Sequence, residues 1–115
     1  MARGTVIYHN PRCSTSRKTL ELLHAFGIEP EVVEYLKTPP SRAELSTMIR
    51  AAGIDVRAAV RKREALYAEL DLADANDDRL LDAMAEHPIL IERPFVVTPK
   101  GTRLARPVDT VREVL

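Results

Sequence analysis

The sequence predicts a single α/β domain over residues 1–115, in which a block of helices separates a β-α-β unit from a β-β-α unit. Three observations support this prediction. Short β-branched and aromatic runs occur near both ends of the chain, at residues 5–8 and 95–97. Between them, apolar residues recur at helical spacing, with capping residues and glycines at the ends of the stretches. A chain of 115 residues has the size of one ordinary domain.

The first third of the chain has the pattern of a strand, a helix and a second strand. Residues 5–8 predict a short buried strand, which Asn10-Pro11 ends. Residues 14–26 carry an apolar stripe at helical spacing, and Gly27 follows as a stop signal. Residues 32–36 predict the second strand. This unit favours a parallel pair of strands joined by a right-handed crossover.

The middle of the chain predicts a series of helices. Residues 41–53 begin with a capping box and end at a glycine. A short helix follows at residues 55–61, residues 64–75 are helical or irregular, and residues 76–87 form a further helix that stops before a proline. Together these segments form a helical insertion of about residues 41–87.

The end of the chain returns to strands. Residues 95–97 predict a strand, residues 99–101 a turn, and residues 102–105 the returning strand. A final helix carries valines at positions 108, 111 and 114 on one face. The whole order is thioredoxin-like (glutaredoxin-like), with β-α-β and β-β-α halves that flank the helical insertion.

Composition and charge exclude several classes of function. Seventeen Lys and Arg balance seventeen Asp and Glu, so a general nucleic-acid binder is not expected. No apolar run reaches the ~20 residues that span a bilayer, and the N-terminus lacks the apolar segment of a signal peptide. We therefore predict a cytoplasmic protein that binds neither nucleic acid nor membrane.

The only cysteine, Cys13, lies between the first predicted strand and helix. One cysteine forms no internal disulfide and no usual structural zinc cluster, so no metal site is predicted. The N-terminus of a helix favours a thiolate, and Arg12, Arg17 and Lys18 add positive charge. His9 precedes the same loop. Position alone leaves a nucleophile and an inert buried thiol as equal alternatives.

Three hydroxyl residues, Ser14, Thr15 and Ser16, follow the cysteine and limit its redox chemistry. Ser16 occupies the position where two-cysteine redox motifs carry their second cysteine, which excludes a dithiol mechanism within this chain. The three hydroxyls are able to donate to a bound anion. Capping of the helix is expected from them whether or not an anion binds.

Three arginines are candidates for binding an oxyanion, because a planar guanidinium donates two hydrogen bonds at once. Arg93 and Arg106 each precede a proline, which imposes an extended backbone and lets the strand direct the side chain. Their alternative role is a strand-end charge that keeps a sheet edge soluble. Arg61 lies among other cations, a pattern that by itself favours a solvated helix face.

Residues 8–17 (Tyr-His-Asn-Pro-Arg-Cys-Ser-Thr-Ser-Arg) closely resemble the active-site loop of ArsC-type arsenate reductases, the glutaredoxin-linked family. The resemblance covers nearly the whole chain and continues, in order, at residues 35–40, 56–62, 77–81, 87–99 and 101–107. It implies a thioredoxin-like fold with a cis Arg93–Pro94 peptide. The chain departs from the family pattern at Arg12, where related sequences often carry a small residue, and at Leu115, where it ends before the tail of some members.

The resemblance implies a role for each candidate. Cys13 is the nucleophile, His9 supports its thiolate, and Arg61, Arg93 and Arg106 bind arsenate and its arsenite product. The implied reaction converts arsenate to arsenite through a Cys13-S-arsenate adduct. The reduction takes two electrons and the chain has one thiol, so further thiols must come from outside. The resemblance identifies them as glutathione, acting as co-substrate, and glutaredoxin, with no bound cofactor.

Two other functions remain open. The Cys-x-x-Ser spacing of Cys13 and Ser16 resembles monothiol glutaredoxins, which suggests a glutathione-dependent disulfide reductase that has no need of the arginines. A non-enzymatic regulator of the Spx type, which binds RNA polymerase, shares the fold. Such regulators often use a Cys-x-x-Cys switch, which Ser16 breaks here.

Overall fold

A four-stranded sheet organises residues 4–115, which are the residues that the computed structural model describes. The strands are β1 (Val6–His9), β2 (Glu31–Glu34), β3 (Phe95–Thr98) and β4 (Gly101–Leu104). Their order across the sheet is β2-β1-β3-β4. β1 and β2 are parallel, whereas β3 is antiparallel to both β1 and β4. The predicted parallel pair and the predicted hairpin are both confirmed.

Four α-helices and three shorter or tighter helices complete the described chain. The α-helices are α1 (Ser14–Ala25), α2 (Arg42–Ala52), α3 (Ala65–Glu69) and α4 (Asp77–Glu86). The 3₁₀-helices cover Val56–Ala59, Pro88–Leu90 and Val108–Val114. None of the helices in the described part of the chain has both the length and the apolar character needed to cross a membrane.

The terminal helix, the end of β2 and the hairpin turn differ from the sequence predictions. The terminal helix is a 3₁₀-helix, and its valines at every third position match the three residues per turn of that helix. β2 ends at Glu34, because the Lys37 N–H donates to the Glu34 carbonyl at 2.9 Å and turns the chain. Gly101, predicted in the hairpin turn, is the first residue of β4.

The described chain divides into two compact units. The first comprises the residues up to Thr38 together with Arg93–Leu115, and it holds the sheet, α1 and the terminal helix. The second, Pro39–Glu92, holds the other helices and includes the predicted insertion at residues 41–87. The description of residues 1–115 as one domain stays a prediction.

Each unit has its own buried apolar residues. In the first unit α1 packs against β1 and the terminal helix. The buried cluster there consists of Ile7, Leu23, Val96, Ala105, Val111 and Val114. In the second unit α2 packs against α4, and the buried residues of these two helices include Leu45, Met48, Ile49, Leu80, Leu81 and Met84. Burying each large side chain contributes about 1.5–3 kcal/mol, so α1 is held firmly on the sheet.

Candidate active site

The loop between β1 and α1 places Cys13 at the start of a twelve-residue helix. Cys13 is the N-cap residue of α1, with extended backbone angles. A tight turn precedes it, in which the Cys13 N–H donates to the Asn10 carbonyl at 3.0 Å. The Asn10 side chain accepts from the Arg12 N–H at 2.9 Å, a local turn that asparagine favours. The partly exposed thiol therefore lies at the free N–H groups of a helix terminus.

Two arginines lie beside this thiol because the β3–β4 hairpin brings them to one edge of the sheet. Arg93 precedes β3 and Arg106 follows β4, and the two strand ends meet where Phe95 pairs with Leu104. Arg106 Nη1 is 3.9 Å from Cys13 Sγ and donates to the Arg93 carbonyl at 2.9 Å. Both arginines precede cis prolines, and the cis peptide after Arg93 is the one that the resemblance implied.

The guanidinium of Arg93 is buried with unmade hydrogen bonds. Arg93 is only 7% exposed, and neither its Nε nor its Nη1 has a hydrogen-bond partner among residues 4–115. Leaving a buried donor without a partner costs roughly 1–3 kcal/mol, and more for a charged group. A bound oxyanion would accept from these donors, so the cost points to a binding role.

The surroundings of Cys13 favour its thiolate. Burial by itself raises the pKa of the Cys13 thiol, but the backbone N–H of Ser16 and the side chains of Arg93 and Arg106 hydrogen-bond to the sulfur and lower it. The positive charge of Arg93 lowers it further, and the net pKa lies below the ordinary value of a cysteine. A larger fraction of thiolate, the nucleophilic form, is therefore present at neutral pH.

His9 and Ser16 form a buried pair behind the thiol. His9 Nδ1 lies 2.6 Å from Ser16 Oγ, and that oxygen accepts from the Asn10 N–H at 3.1 Å. The Ser16 hydroxyl proton is then available to Nδ1, which places the ring proton of a neutral His9 on Nε2. Burial lowers the pKa of His9, Glu34 opposes this, and Arg17 adds to it. His9 is thus connected to Cys13 through Ser16, as a neutral hydrogen-bonding partner at pH 7.

The three hydroxyl residues after Cys13 occupy different environments. Ser14 is exposed and Thr15 partly exposed in the first turn of α1, whereas Ser16 is fully buried. The Ser16 hydroxyl is hydrogen-bonded to His9 and to the Asn10 N–H, and the Ser16 backbone N–H donates to the sulfur of Cys13. The roles of Ser14, Thr15 and Ser16 in binding substrate stay predictions.

Arg61 belongs to the helical unit and is not the solvated helix-face residue that its pattern favoured. Its side chain is only 12% exposed and contacts two carboxylates, with Nη1 3.1 Å from Glu92 and Nε 3.6 Å from Glu64. The Arg61 N–H donates to the Leu90 carbonyl at 2.7 Å, next to an antiparallel bridge. Its predicted role in binding the oxyanion stays a prediction.

Sequence reasoning missed Asn10 and Glu92. Asn10 was interpreted as a strand breaker, although it is buried and its side chain shapes the turn before Cys13. Glu92 pairs with Arg61 and directly precedes Arg93 in the chain. The available signal was a lone acidic residue in an otherwise apolar stretch. Across residues 4–115, no three His, Cys, Asp or Glu side chains cluster as a metal site would require.

Comparison with known proteins gives a consistent result. The model of the ArsC family matches residues 8–114. The chain is 61% identical over 111 residues to a Rhizobium meliloti (strain 1021) protein named arsenate reductase, covering 95% of this chain and 79% of that one. It is 56% identical, over the same shares, to the Escherichia coli (strain K12) protein of that name.

A solved structure shows the same fold. The arsenate reductase from Vibrio cholerae superimposes with a TM-score of 0.92 at 52% identity, and the match covers 96% of this chain and 97% of that one. The predicted α/β, thioredoxin-like architecture is confirmed by this match together with the sheet order.

Proposed function

The chain belongs to the ArsC family, and on this premise we propose that it is an arsenate reductase whose nucleophile is Cys13. The observation that carries the proposal is the meeting, at one edge of the sheet, of a thiol of lowered pKa with Arg93 and Arg106. Family membership and the names of the relatives support the substrate. The site geometry supports the order of events.

Binding comes first and uses the donors that the protein leaves unmatched. Arsenate is a tetrahedral oxyanion, and a guanidinium donates to two of its oxygens at once. Arg93 offers the buried Nε and Nη1 groups, Arg106 lies within 3.9 Å of the sulfur, and the first turn of α1 adds N–H groups. Arg61 is proposed as a third arginine that contacts the oxyanion or its product.

Attack by the Cys13 thiolate follows. An arsenic–sulfur bond forms, one arsenic–oxygen bond breaks, and that oxygen leaves as water after accepting protons. The product is a Cys13-S-arsenate adduct, in which arsenic is still As(V). Arg93 and Arg106 stabilise the negative charge on the remaining oxygens, which is the electrostatic contribution expected of preorganised donors.

Reduction requires two thiols from outside the chain, because Cys13 is its only cysteine. Glutathione displaces an oxygen of the adduct as water and becomes bonded to arsenic. A glutaredoxin thiolate then attacks the glutathione sulfur and forms a disulfide, and the electron pair of the broken bond stays on arsenic as As(III). Water releases arsenite and returns Cys13. The totals balance, since two thiols yield one disulfide and arsenic gains two electrons.

The buried pair of His9 and Ser16 supports the nucleophile without contributing a charge. The Ser16 hydroxyl accepts from the Asn10 N–H and donates to His9 Nδ1, and the Ser16 backbone N–H donates to the Cys13 sulfur. A cytoplasmic location, where glutathione keeps thiols reduced, suits this single free cysteine and its proposed co-substrates.

The test is arsenate-dependent oxidation of NADPH in a mixture of glutathione, glutathione reductase and glutaredoxin. We expect turnover by the wild-type chain and none by Cys13→Ser, with the same melting temperature for both. Turnover by folded Cys13→Ser would exclude the covalent mechanism. Absence of turnover by the wild type, with Cys13 still reactive toward iodoacetamide, would exclude arsenate as the substrate.

A glutathione-dependent disulfide reductase is the second candidate, and one observation favours it. Cys13 has a lowered pKa and its third following residue is Ser16, which is the arrangement a monothiol reductase needs. That function does not require the buried donors of Arg93. Reduction of a glutathione mixed disulfide without arsenate, which Arg93→Ala slows no more than it lowers the thiolate fraction of Cys13, would support it over the arsenate proposal.

A further inference from the structure

A groove borders the Cys13 loop on the side of β2. It is lined by residues 9–12 and by Glu34, Leu36 and Lys37, and it has a volume of about 220 Å³. We call it the loop groove. The reaction steps above do not use it, although its lining includes Arg12, the residue at which the sequence departs from the family pattern. Its lining residues all belong to the first unit.

The loop groove combines an apolar floor with charges of both signs. Pro11 and Leu36 supply apolar surface, and Leu36 is 44% exposed. Arg12 and Lys37 supply two cations, and Glu34 supplies one anion. Both cations have exposed side chains, so a ligand is able to reach them.

The existing ion pair in the groove is weak enough for a ligand to replace. Lys37 Nζ lies 3.5 Å from Glu34 Oε1, and the two side chains are 77% and 42% exposed. Exposed pairs of this kind contribute about 0–1 kcal/mol. Arg12 uses its backbone N–H, not its guanidinium, to hold the turn with Asn10.

We propose that the loop groove binds glutathione and presents its thiol to the arsenic held on Cys13. This inference rests on the proposed function, which requires an external thiol, and it assigns that thiol a place. Glutathione carries two carboxylates and one ammonium group. Arg12 and Lys37 match the carboxylates, and Glu34 matches the ammonium group.

Size and distance agree with this ligand. Arg12 is bonded to Cys13, so their Cα atoms are about 3.8 Å apart, and an extended tripeptide reaches about 10 Å. A ligand anchored at Arg12 therefore reaches the sulfur of Cys13. The groove is smaller than the roughly 300–1,000 Å³ of pockets that enclose a drug-sized ligand. Part of glutathione stays in solvent, as suits a co-substrate that must enter and leave in each cycle.

The test uses a reaction that needs no arsenate. The Cys13 thiolate attacks oxidised glutathione, forms a mixed disulfide and releases one glutathione thiolate, and mass spectrometry gives the rate. Bis(2-hydroxyethyl) disulfide, which has no charged groups, provides the reference reaction. We compare the wild type, Arg12→Glu/Lys37→Glu, and a control with the same change of net charge, Arg50→Glu/Arg63→Glu, at exposed positions outside the groove.

We expect the groove variant to lose about tenfold more rate with oxidised glutathione than with the uncharged disulfide. An effect of the Arg12 charge on the Cys13 thiolate slows both reactions equally and cancels in this ratio. The control should stay within twofold for both. In the arsenate assay, the KM for glutathione should rise about tenfold while the KM for arsenate is unchanged. An equal loss with both disulfides, or a rise in the KM for glutaredoxin alone, would overturn the proposal.

The outcomes separate the two proposals. A wild-type chain that reduces no arsenate but prefers oxidised glutathione through Arg12 and Lys37 would refute the proposed function and retain the groove. A chain that reduces arsenate normally after both charge reversals would retain the function and refute the groove.

Discussion

Arg57 in the helical unit and Arg93 beside the thiol differ in how many hydrogen bonds the protein itself supplies to the guanidinium. Arg57 in the helical unit donates to the Tyr67 hydroxyl at 3.0 Å and to the Leu72 carbonyl at 3.2 Å, and it also bonds the Ala75 carbonyl. Arg93 is more deeply buried, yet two of its three nitrogens have no hydrogen-bond partner in the described chain. The protein supplies three hydrogen bonds to the Arg57 guanidinium and leaves two buried nitrogens of Arg93 without one.

This difference teaches how to distinguish a structural arginine from a binding arginine. A guanidinium saturated by carbonyls fastens one segment to another, and its loss leaves those carbonyls unmatched. A guanidinium buried with unmade bonds is costly in the folded state and recovers that cost only with a ligand. Arg61 lies between these cases, since it contacts two carboxylates although its buried Nε makes no hydrogen bond among the described residues.

The sharpest contrast is expected from Arg93→Ala. The variant should lose about a hundredfold in kcat/KM for arsenate, because charge-assisted hydrogen bonds are each worth about 1.5–3 kcal/mol. Its free energy of unfolding should be no lower than that of the wild type, since two of the lost donors have no protein partner. Steady-state kinetics and urea unfolding measure the two quantities. A fall in stability with unchanged kcat/KM would make Arg93 a structural residue.

The opposite result is expected from Arg57→Ala. Removing its three hydrogen bonds leaves two carbonyls and a hydroxyl unmatched, and it should lower the free energy of unfolding by about 2–3 kcal/mol. The folded fraction should keep kcat/KM within twofold of wild type. Urea unfolding followed by circular dichroism measures the loss, and Arg57→Lys should recover part of it. Loss of activity without loss of stability would break the comparison.

Arg61→Ala should give an intermediate effect. We expect kcat/KM for arsenate to fall about tenfold, because the proposed contact of Arg61 with the oxyanion is a single charge-assisted hydrogen bond. The carboxylates that Arg61 leaves behind, Glu64 and Glu92, are partly exposed to water. Arg63→Ala, an exposed neighbour, is the matched control and should stay within twofold. Equal kinetics for the two variants would restrict Arg61 to its ion pairs.

The smallest effect concerns pH and His9. The folded protein holds the pKa of His9 below 6.5, chiefly through burial, so the unfolded chain takes up this proton first. The contribution of His9 to stability is complete above pH 6.5 and is lost as the pH falls through the folded pKa. In His9→Gln the free energy of unfolding should fall less steeply as the pH is lowered from 7.5 to 5. Urea unfolding of both chains across this pH range tests the prediction. Parallel plots of unfolding free energy against pH for the wild type and His9→Gln would show that His9 does not contribute to the pH dependence.

Local patterns were sufficient to predict the parallel strand pair, the hairpin and the position of Cys13. The break at Asn10-Pro11, followed by a helical stripe, placed Cys13 at a helix terminus, where the structure has it. The capping box of Ser41 and Glu44 could be predicted because it depends only on residues close in sequence. Both of its hydrogen bonds are present in the structure. The prolines after Arg93 and Arg106 made these arginines candidates, and the family resemblance supplied their proposed binding role.

Properties that depend on tertiary contacts could not be predicted from the sequence. Arg61 lies in a cationic run, which favoured a solvated helix face, yet its side chain is mostly buried and pairs with Glu92, 31 positions along the chain. Arg57, in the same run, is likewise partly buried and bonds to Leu72. The unmatched donors of Arg93 arise because the described fold places no acceptor beside Nε or Nη1, and a local sequence pattern does not predict this. The ending of β2 at Glu34 and the 3₁₀ form of the terminal helix likewise depend on packing and turn geometry.

The central claim is that Arg93 keeps its donors for the oxyanion, and titration calorimetry tests it most directly. Arsenate is titrated into Cys13→Ser, which binds without forming the adduct, and into the same chain carrying Arg93→Ala or Arg57→Ala. We predict that Arg93→Ala raises the Kd for arsenate at least about tenfold, while Arg57→Ala leaves it within twofold. Equal Kd values for Cys13→Ser with and without Arg93→Ala would contradict the account.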